Sequence, residues 1–459
     1  MIRNRRLWVI IGLFVLCCSC KEYLDLKPYG ETIPETPEEF EALLHRTLNN
    51  IDYGNDAVII GNQSTILDYD CVTDNLDASL TILPQGNSLN LYLGEKLNGF
   101  QSNYSQLYEK IRDCNLVIEN MTQKESAKGK KVLATAYTMR GICYYNLLRL
   151  FCEPYDKENE NSQLGLPLVK VFDMEARPIR SSIKATAEFI EEDLKNGIGY
   201  NLTDDIYRLT VDVAKVYLMK LYFWTQNWGE VTTLGEELLK KYPLLEGEAY
   251  KDMIQSKFTR KGNVLIRSLV YGDESAESTF QLLVKYRPVS KQFIDLFVEK
   301  EHDIRYELFF DKKRVVKKQL TAQVRSAEIA LMLAEAYAHI PDNDKALAHL
   351  NALRAKRISN YVPYSLTTLP SDTSVGEIRE DVYGKPLTPL LAAILKERQK
   401  ELFLEGDRLF ELKRNGCPEF WVTKDGLKYV TLKYMYTAPL SRVDVDLTPG
   451  LIQNEGYEL

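Results

Sequence analysis

The chain has 459 residues, 45% of them apolar and 27% charged, with 58 Lys+Arg against 65 Asp+Glu and a formal net charge of −7. That balance belongs to a folded chain long enough for a large core, and it excludes disordered and fibrous classes. An acidic chain without a basic block argues against a nucleic-acid surface and against electrostatic docking on anionic lipid.

The first residues form an address. Arg3, Arg5 and Arg6 precede the apolar run Leu7 to Leu16, which is too short to span a bilayer as a helix. Residues 1–19 hold these three arginines and no acid, so their removal leaves a net charge of −10. The run ends in Cys17-Cys18-Ser19-Cys20, which resembles a bacterial lipobox. Cys20 is the expected lipidation site, with Cys18 as the alternative acceptor. An ordinary secretory cut is the plainer reading. The mature chain would keep cysteines 20, 71, 114, 143, 152 and 417, at long irregular spacings without C-x-x-C. They suggest neither a metal framework nor a disulfide scaffold, and Cys114 and Cys143 lie within apolar helical patterns as small core residues.

Helical periodicity dominates the rest of the chain. Residues 104–121 place Leu107, Ile111, Cys114, Val117, Ile118 and Met121 on one stripe. Residues 132–151 are apolar almost all round, and 183–198 are amphipathic behind the cap signal Ser181-Ser182. Residues 211–243 and 326–357 repeat each other as helix, turn, helix, with turns at Gln226-Asn227 and Pro341-Asp342. About 33 residues per pair, with small or aromatic residues at the crossing, is the tetratricopeptide pattern, and such hairpins stack because none can bury its apolar face alone. A third pair spans 389–413 with a break at Gly406, and a fourth joins 132–151 to 183–198. Segments 52–103, 247–290 and 358–386 lack a sustained period, with β-like pieces at 264–269 and 279–286. Residues 420–436 alternate Tyr and Val as a hairpin. The fold expected is mostly α: a tetratricopeptide-like hairpin scaffold with a loop-rich, mixed subregion.

Motifs for metalloproteases, nucleophile elbows and phosphate loops are absent. The four histidines are scattered, and His339 and His349, on either side of one turn, are expected in solvated positions rather than as a metal pair. Residues 397, 401 and 405 are glutamates four apart, with Arg398, Asp407 and Arg408 nearby; an ion network between helices accounts for them better than acid–base chemistry. Arg325, Glu328 and Glu335 suggest the same. The densest polar stretch, residues 68–77, holds Asp68, Asp70, Asp74, Asn75 and Asp77, but its spacing departs from a calcium loop. Turn-building side chains are one reading of it, and hydrogen-bond acceptors for a ligand are another.

Several segments taken together resemble the SusD/RagB family of outer-membrane nutrient-binding lipoproteins. They are CKEYLDLKP (20–28), YEKIRDCNLVIENM (108–121), ATAYTMRGICYYNLLRLFCEPY with GLPLV (134–155, 165–169), RPVSKQFIDLFVEKEHDIR (287–305), the hairpin at 324–357, ERQKELFLEGDRLFELKRNG (397–416) and the closing segment 438–459. They follow in order along nearly the whole mature chain. The resemblance implies a signal peptide at 1–19 and one nutrient-binding domain at 20–459. Helical hairpins would occupy about 132–243 and 325–416, with ligand-side segments at about 52–103, 247–290 and 358–386. It implies a lipid-anchored protein of the outer membrane, facing the cell exterior, that captures an oligosaccharide and hands it to a SusC-like TonB-dependent barrel, without catalysis; no cofactor or metal is expected. Asp70, Asp74, Asn75, Tyr92 and Tyr286 are the expected ligand contacts.

Two departures bear on the ligand. The chain is short for the family, and after processing only Trp224, Trp228 and Trp421 remain. Tryptophan covers the C–H face of a pyranose well, so its scarcity keeps a peptide ligand open beside the glycan. Trp224 and Trp228 fall at a hairpin turn and suit packing, whereas Trp421 is unassigned. A tethered glycosidase and a tetratricopeptide adaptor without a small ligand are the rival functions. Missing catalytic motifs disfavour the first, and the length of the resemblance disfavours the second.

Overall fold

The structure is a computed structural model that describes residues 34–77, 92–173, 175–202, 209–255, 264–267, 274–313, 315–320 and 323–457. Cys20 lies outside them. Helix α1 (Pro37–Asp52) opens on a capping box, in which Thr36 accepts from the Glu39 N–H at 3.3 Å while the Glu39 carboxylate accepts from the Thr36 N–H. α2 (Gln63–Asp70) is capped by Asn62, and α3 (Leu93–Asn120) and α4 (Ala127–Phe151) follow. Strands β1 (Leu164–Pro167) and β2 (Arg180–Ser182) pair antiparallel, and Ser182 then caps α5 (Ile183–Gly199). Next come α6 (Val211–Trp224), α7 (Trp228–Lys241), α8 (Gly247–Gln255), β3 (Val264–Arg267), α9 (Glu274–Tyr286), α10 (Lys291–Ile294) and α11 (Ile304–Phe309). β4 (Gln323–Arg325) pairs with β3 and leads into α12 (Ser326–His339), α13 (Asn343–Ala355), α14 (Pro389–Glu401) and α15 (Arg408–Arg414). The hairpin β5 (Phe420–Lys424) and β6 (Leu427–Thr431) precedes α16 (Arg442–Leu447).

Three of the four expected pairs pack together, whereas α14 lies against α12 and α13 rather than chiefly against α15. α4 packs on α5, α5 on α6, α6 on α7, α7 on α12, and α12 on both α13 and α14. Small residues permit the crossings. A Cβ on Gly141 would meet the Leu194 side chain at 2.9 Å, and one on Gly235 would meet Leu333 and Met219 at 2.7 Å. Gln226 turns the α6–α7 corner with φ of +60°, and Gly406 separates α14 from α15 at +75°. Arg140 ties the first pair together by forking onto Asp193 at 2.6 and 2.8 Å, and it reaches Asn115 of α3 at 2.7 Å. Trp224 and Trp228 lie in the core, as their place at the turn suggested. Cys71, Cys114, Cys143, Cys152 and Cys417 are all buried and unbridged.

Three expectations need correction. Segment 52–103 contains α2 and the start of α3, so it is not loop alone. Residues 279–286 are helical, not β-like. Ala276, Phe280 and Leu283, four and three apart, are the buried face of α9, and this tertiary burial overrides the β-branched composition. His339 is not solvated: it stacks on the Trp228 indole at 4.5 Å, and burial lowers its pKa. Among the described residues no group of three or more His, Cys, Asp or Glu could hold a metal.

The charged residues of α14 form the expected ion network, and it lies in the centre of the molecule. Glu401 is fully buried and accepts from Arg325 Nη1 at 2.6 Å, Arg305 Nη1 at 3.0 Å, and Arg357 Nη2 and Nε at 2.9 and 3.0 Å. Glu405 takes Arg325 Nε at 2.9 Å and Lys318 at 2.7 Å, while Glu397 takes Arg305 and Arg354 at 2.6 Å each. Surrounding guanidinium charge outweighs burial and holds the Glu401 carboxyl far below its usual range. Removing one partner of such a buried set strands the others. Glu401→Gln is therefore expected to cost about 3–5 kcal/mol of stability, read as a lower midpoint in urea unfolding; an unchanged midpoint would refute this role.

Candidate functional site

α2 ends at Asp70, and the acid-rich loop beyond it is fastened from across the chain. The buried Arg287 guanidinium donates to the carbonyls of Cys71 at 2.6 Å, Thr73 at 3.0 Å, Leu76 at 3.3 Å and Asp77 at 2.9 Å. Burial among neutral acceptors pulls its pKa down to about 10. Asp77 N–H donates to Pro288 and Ser290 N–H to Asn75, so the segment after α9 lies alongside the loop. This brings Tyr286, half-buried at the end of α9, to the same edge as the acids.

The three polar residues expected to meet a ligand are turned inward. Asp74 is gripped by Arg408 at 2.8 and 2.6 Å and by the Glu377 N–H at 2.8 Å. Gly376, at φ +59°, passes so close that a Cβ there would lie 2.0 Å from the Asp74 carboxylate. Asn75 is buried, with its carbonyl oxygen accepting from Gln399 at 2.9 Å. Asp70 is buried and accepts from the Gly406 N–H at 2.8 Å, while its other oxygen has no partner. Their partners come from α14, α15, the turn between them and the loop before α14, and none is visible from the local sequence.

Tyr92 stands elsewhere, at the N-terminus of α3. Its ring stacks on Tyr429 of β6 with centroids 4.8 Å apart and planes at 25°. The hairpin that carries Tyr429 turns through Asp425-Gly426, both at positive φ, +53° and +77°. That is the two-residue turn whose twist matches paired strands. Phe420, Val422 and Tyr429 share the inner face, and Lys424 of this face forms an ion pair with Glu95. A 3₁₀ turn at Lys433–Tyr436 then places Tyr434 edge-on to Tyr457, centroids 5.2 Å apart. Gly456 allows that approach, since a Cβ there would strike the Tyr434 ring at 2.5 Å. Burial raises the Tyr92 pKa, and Glu95, Tyr429 and Tyr434 add to the rise. Tyr92, Tyr429 and Tyr434 are half-buried and leave a rim of ring and phenol surface, whereas the Tyr457 hydroxyl is buried without a partner. Trp421, on the outer face of the hairpin, is 46% exposed with Lys428 Nζ 4.9 Å above its ring. The alternation of Tyr and Val from 420 to 436 was the signal for Tyr429 and Tyr434; no local pattern links them to Tyr92 or Tyr457.

The 3₁₀ turn also borders a cleft of about 600 Å³ lined by Lys433, Tyr155, Gln226, Asp381, Tyr383 and Lys413. The Tyr383 hydroxyl accepts from Trp228 Nε1 at 2.7 Å, which couples this cleft to the α6–α7 turn.

Asp70 makes a pH-dependent contribution. Burial raises its pKa from 3.8 to about 7. Between those values the folded chain holds a proton that the unfolded chain has lost. The stability from the neutral form is full below about pH 4 and is lost as pH rises through 7. Asp70→Asn keeps the acceptor for Gly406 and removes the titration. Its melting temperature is expected to exceed that of the wild type at pH 8 and to converge with it at pH 4; an equal offset at both would refute the assignment.

Comparison with known proteins bears on the same fold. A family model described as starch-binding associating with outer membrane matches residues 22–216, and the SusD family model matches 309–457. A SusD superfamily protein from Bacteroides thetaiotaomicron is similar over 91% of this chain and 99% of its own, at TM-score 0.65 and 17% identity. A SusD-like carbohydrate binding protein from Bacteroides vulgatus aligns over 91% and 98%, at 0.67 and 17%. Surface glycan-binding protein A from Bacteroides fluxus aligns over 92% and 100%, at 0.61 and 15%. At such identities the likeness to these structures is one of fold. No curated protein matches the sequence. With two family models in chain order over residues 22–216 and 309–457, this chain belongs to the SusD/RagB family of outer-membrane-associated, substrate-binding proteins.

Proposed function

We propose that this protein is a surface-exposed lipoprotein that captures an oligosaccharide and delivers it to a SusC-like TonB-dependent barrel, without chemical conversion. The tyrosine rim carries this reading. Tyr92 and Tyr429 form a stacked ledge 4.8 Å between centroids, and Tyr434 is a further half-buried phenol on the segment that follows the hairpin. A pyranose presents C–H groups on its faces and hydroxyls round its edge; half-buried phenols match both, with the ring against the face and the O–H against the edge. The names of the neighbours, a carbohydrate binding protein and a surface glycan-binding protein, agree with a sugar as cargo. Carriers that pass a ligand on need binding that is specific but reversible, and a few aromatic contacts without a buried charge provide that.

Of the residues expected from sequence to touch ligand, Tyr92 holds the strongest position, and Tyr286 is a second aromatic at the edge of the acid loop. Asp70, Asp74 and Asn75 serve in this reading as the foundation of that edge, because their polar atoms meet Gly406, Arg408 and Gln399. Lipidation at Cys20 would supply the anchor, since several acyl chains add about 0.8 kcal/mol per buried methylene. Among the described residues no helix is long and apolar enough to cross a membrane.

Calorimetry of the mature protein against a panel of oligosaccharides and peptides tests the cargo. Tyr92→Ala and Tyr429→Ala are each expected to weaken oligosaccharide binding about tenfold, roughly 1.4 kcal/mol, with melting temperature nearly unchanged. Binding of peptides alone, or unaltered affinity in both variants, would overturn the sugar site. For the anchor, replacing Cys18 and Cys20 together by serine should release the protein from washed cells. Its retention there would refute lipid tethering.

A further inference from the structure

Under α2, two small polar recesses of about 70 and about 30 Å³ share a wall made of Arg149, Lys220, Glu328, Asp407 and Phe410. The carboxylates on that wall have their own cations. Glu328 pairs with Lys220 at 2.8 Å, and Arg398 forks onto Asp407 at 2.7 and 2.5 Å. Arg149 is different. Its guanidinium lies 4.0 Å from the Phe410 ring centroid and 4.7 Å from that of Tyr145, and Nη2 donates to Asn146 at 2.8 Å. Among the described residues it makes no ion pair with a carboxylate.

The donors around the smaller recess also lack acceptors. Arg149 Nε, Arg398 Nη1 and Trp224 Nε1 are buried and unpartnered, and all three residues line it. Trp224 is 3% and Arg398 4% exposed. Indole and guanidinium nitrogens can only donate. A single buried acceptor, Glu411 Oε1, is likewise unpartnered there. Water would bring two hydrogens of its own into a place with three donors and one acceptor, which leaves N–H groups unsatisfied. An anion accepts from all sides and balances the unpaired guanidinium.

We propose that the recess beside Arg149 binds a small monovalent inorganic anion of chloride size, held by Arg149, Arg398 and Trp224. The recess offers about 30 Å³ to groups the size of water, which suits a halide. Burial raises the neighbouring Glu411 pKa to about 7. Its carboxyl therefore carries a proton part of the time near neutrality and can then donate as well. The role is structural: the anion would join α4, α6, α14 and α15 beneath the acid loop.

Crystals of the wild-type mature protein grown in sodium bromide provide the direct test. An anomalous peak within about 3.5 Å of Arg149 Nε, Arg398 Nη1 and Trp224 Nε1 is expected; bromide found only elsewhere, or a recess holding only water, overturns the proposal. In solution, replacing gluconate by chloride at constant ionic strength should raise the melting temperature of the wild type by roughly 1–2 °C at tenfold saturation. Arg149→Gln should abolish that rise. An equal rise in the variant, or none in the wild type, counts against the site, and the bromide crystals decide the matter should the variant fail to fold.

Discussion

The Glu401 carboxylate, surrounded by Arg305, Arg325 and Arg357, is the constraint on which the arrangement depends. Each guanidinium belongs to a different element: Arg305 to α11, Arg325 to β4, and Arg357 to the turn after α13. A hydrophobic contact in the same place would hold these elements together but would tolerate sliding. Directional bonds to one buried carboxylate do not, because any shift leaves a charge without its partner in a low-dielectric interior. Arg357 adds a further restraint by lying 3.7 Å from the centroid of the Tyr250 ring, which draws in α8 as well.

From this centre the order extends outward through α14 and α15. Gln399 reaches Asn75, Gly406 reaches Asp70 and Arg408 reaches Asp74. The acid loop is thereby set, and Arg287 fastens it from the other side with four carbonyl contacts. Asp68 of α2 pairs with Lys96 of α3, one turn beyond Tyr92. A continuous set of polar contacts thus runs from the core to the aromatic rim, and the rim inherits the rigidity of the helical stack.

The stack was legible in the sequence because its signals are local. A period of 3.6, turn residues at Gln226-Asn227, Pro341-Asp342 and Gly406, and glutamates four apart all act within one or two helical turns. The hairpin within 420–436 was legible from its alternation, which is also local. Local reading failed where partners are far apart in the chain. The acids at 68–77 resemble an exposed polar loop until Arg408 and Gly406 are brought to them, and residues 279–286 resemble a strand until the core covers Phe280 and Leu283. Tyr92 was selected for its aromatic ring, but its stacking partner lies on a hairpin near the other end of the chain. No motif connects the two.

The five unbridged cysteines give the fold a further property. Burial pushes the thiols of Cys71 and Cys417 up to about 12 and about 11, and raises those of Cys114, Cys143 and Cys152 as well. Since only the thiolate attacks, these five thiols are inert in the folded state toward oxidants and alkylating agents that reach the surface. Global opening reverses this at once, exposing five nucleophiles of ordinary reactivity on one chain. Where dissolved oxygen serves as the oxidant, non-native bridges between these thiols trap the opened chain, and heat inactivation becomes a one-way process governed by the rate of opening.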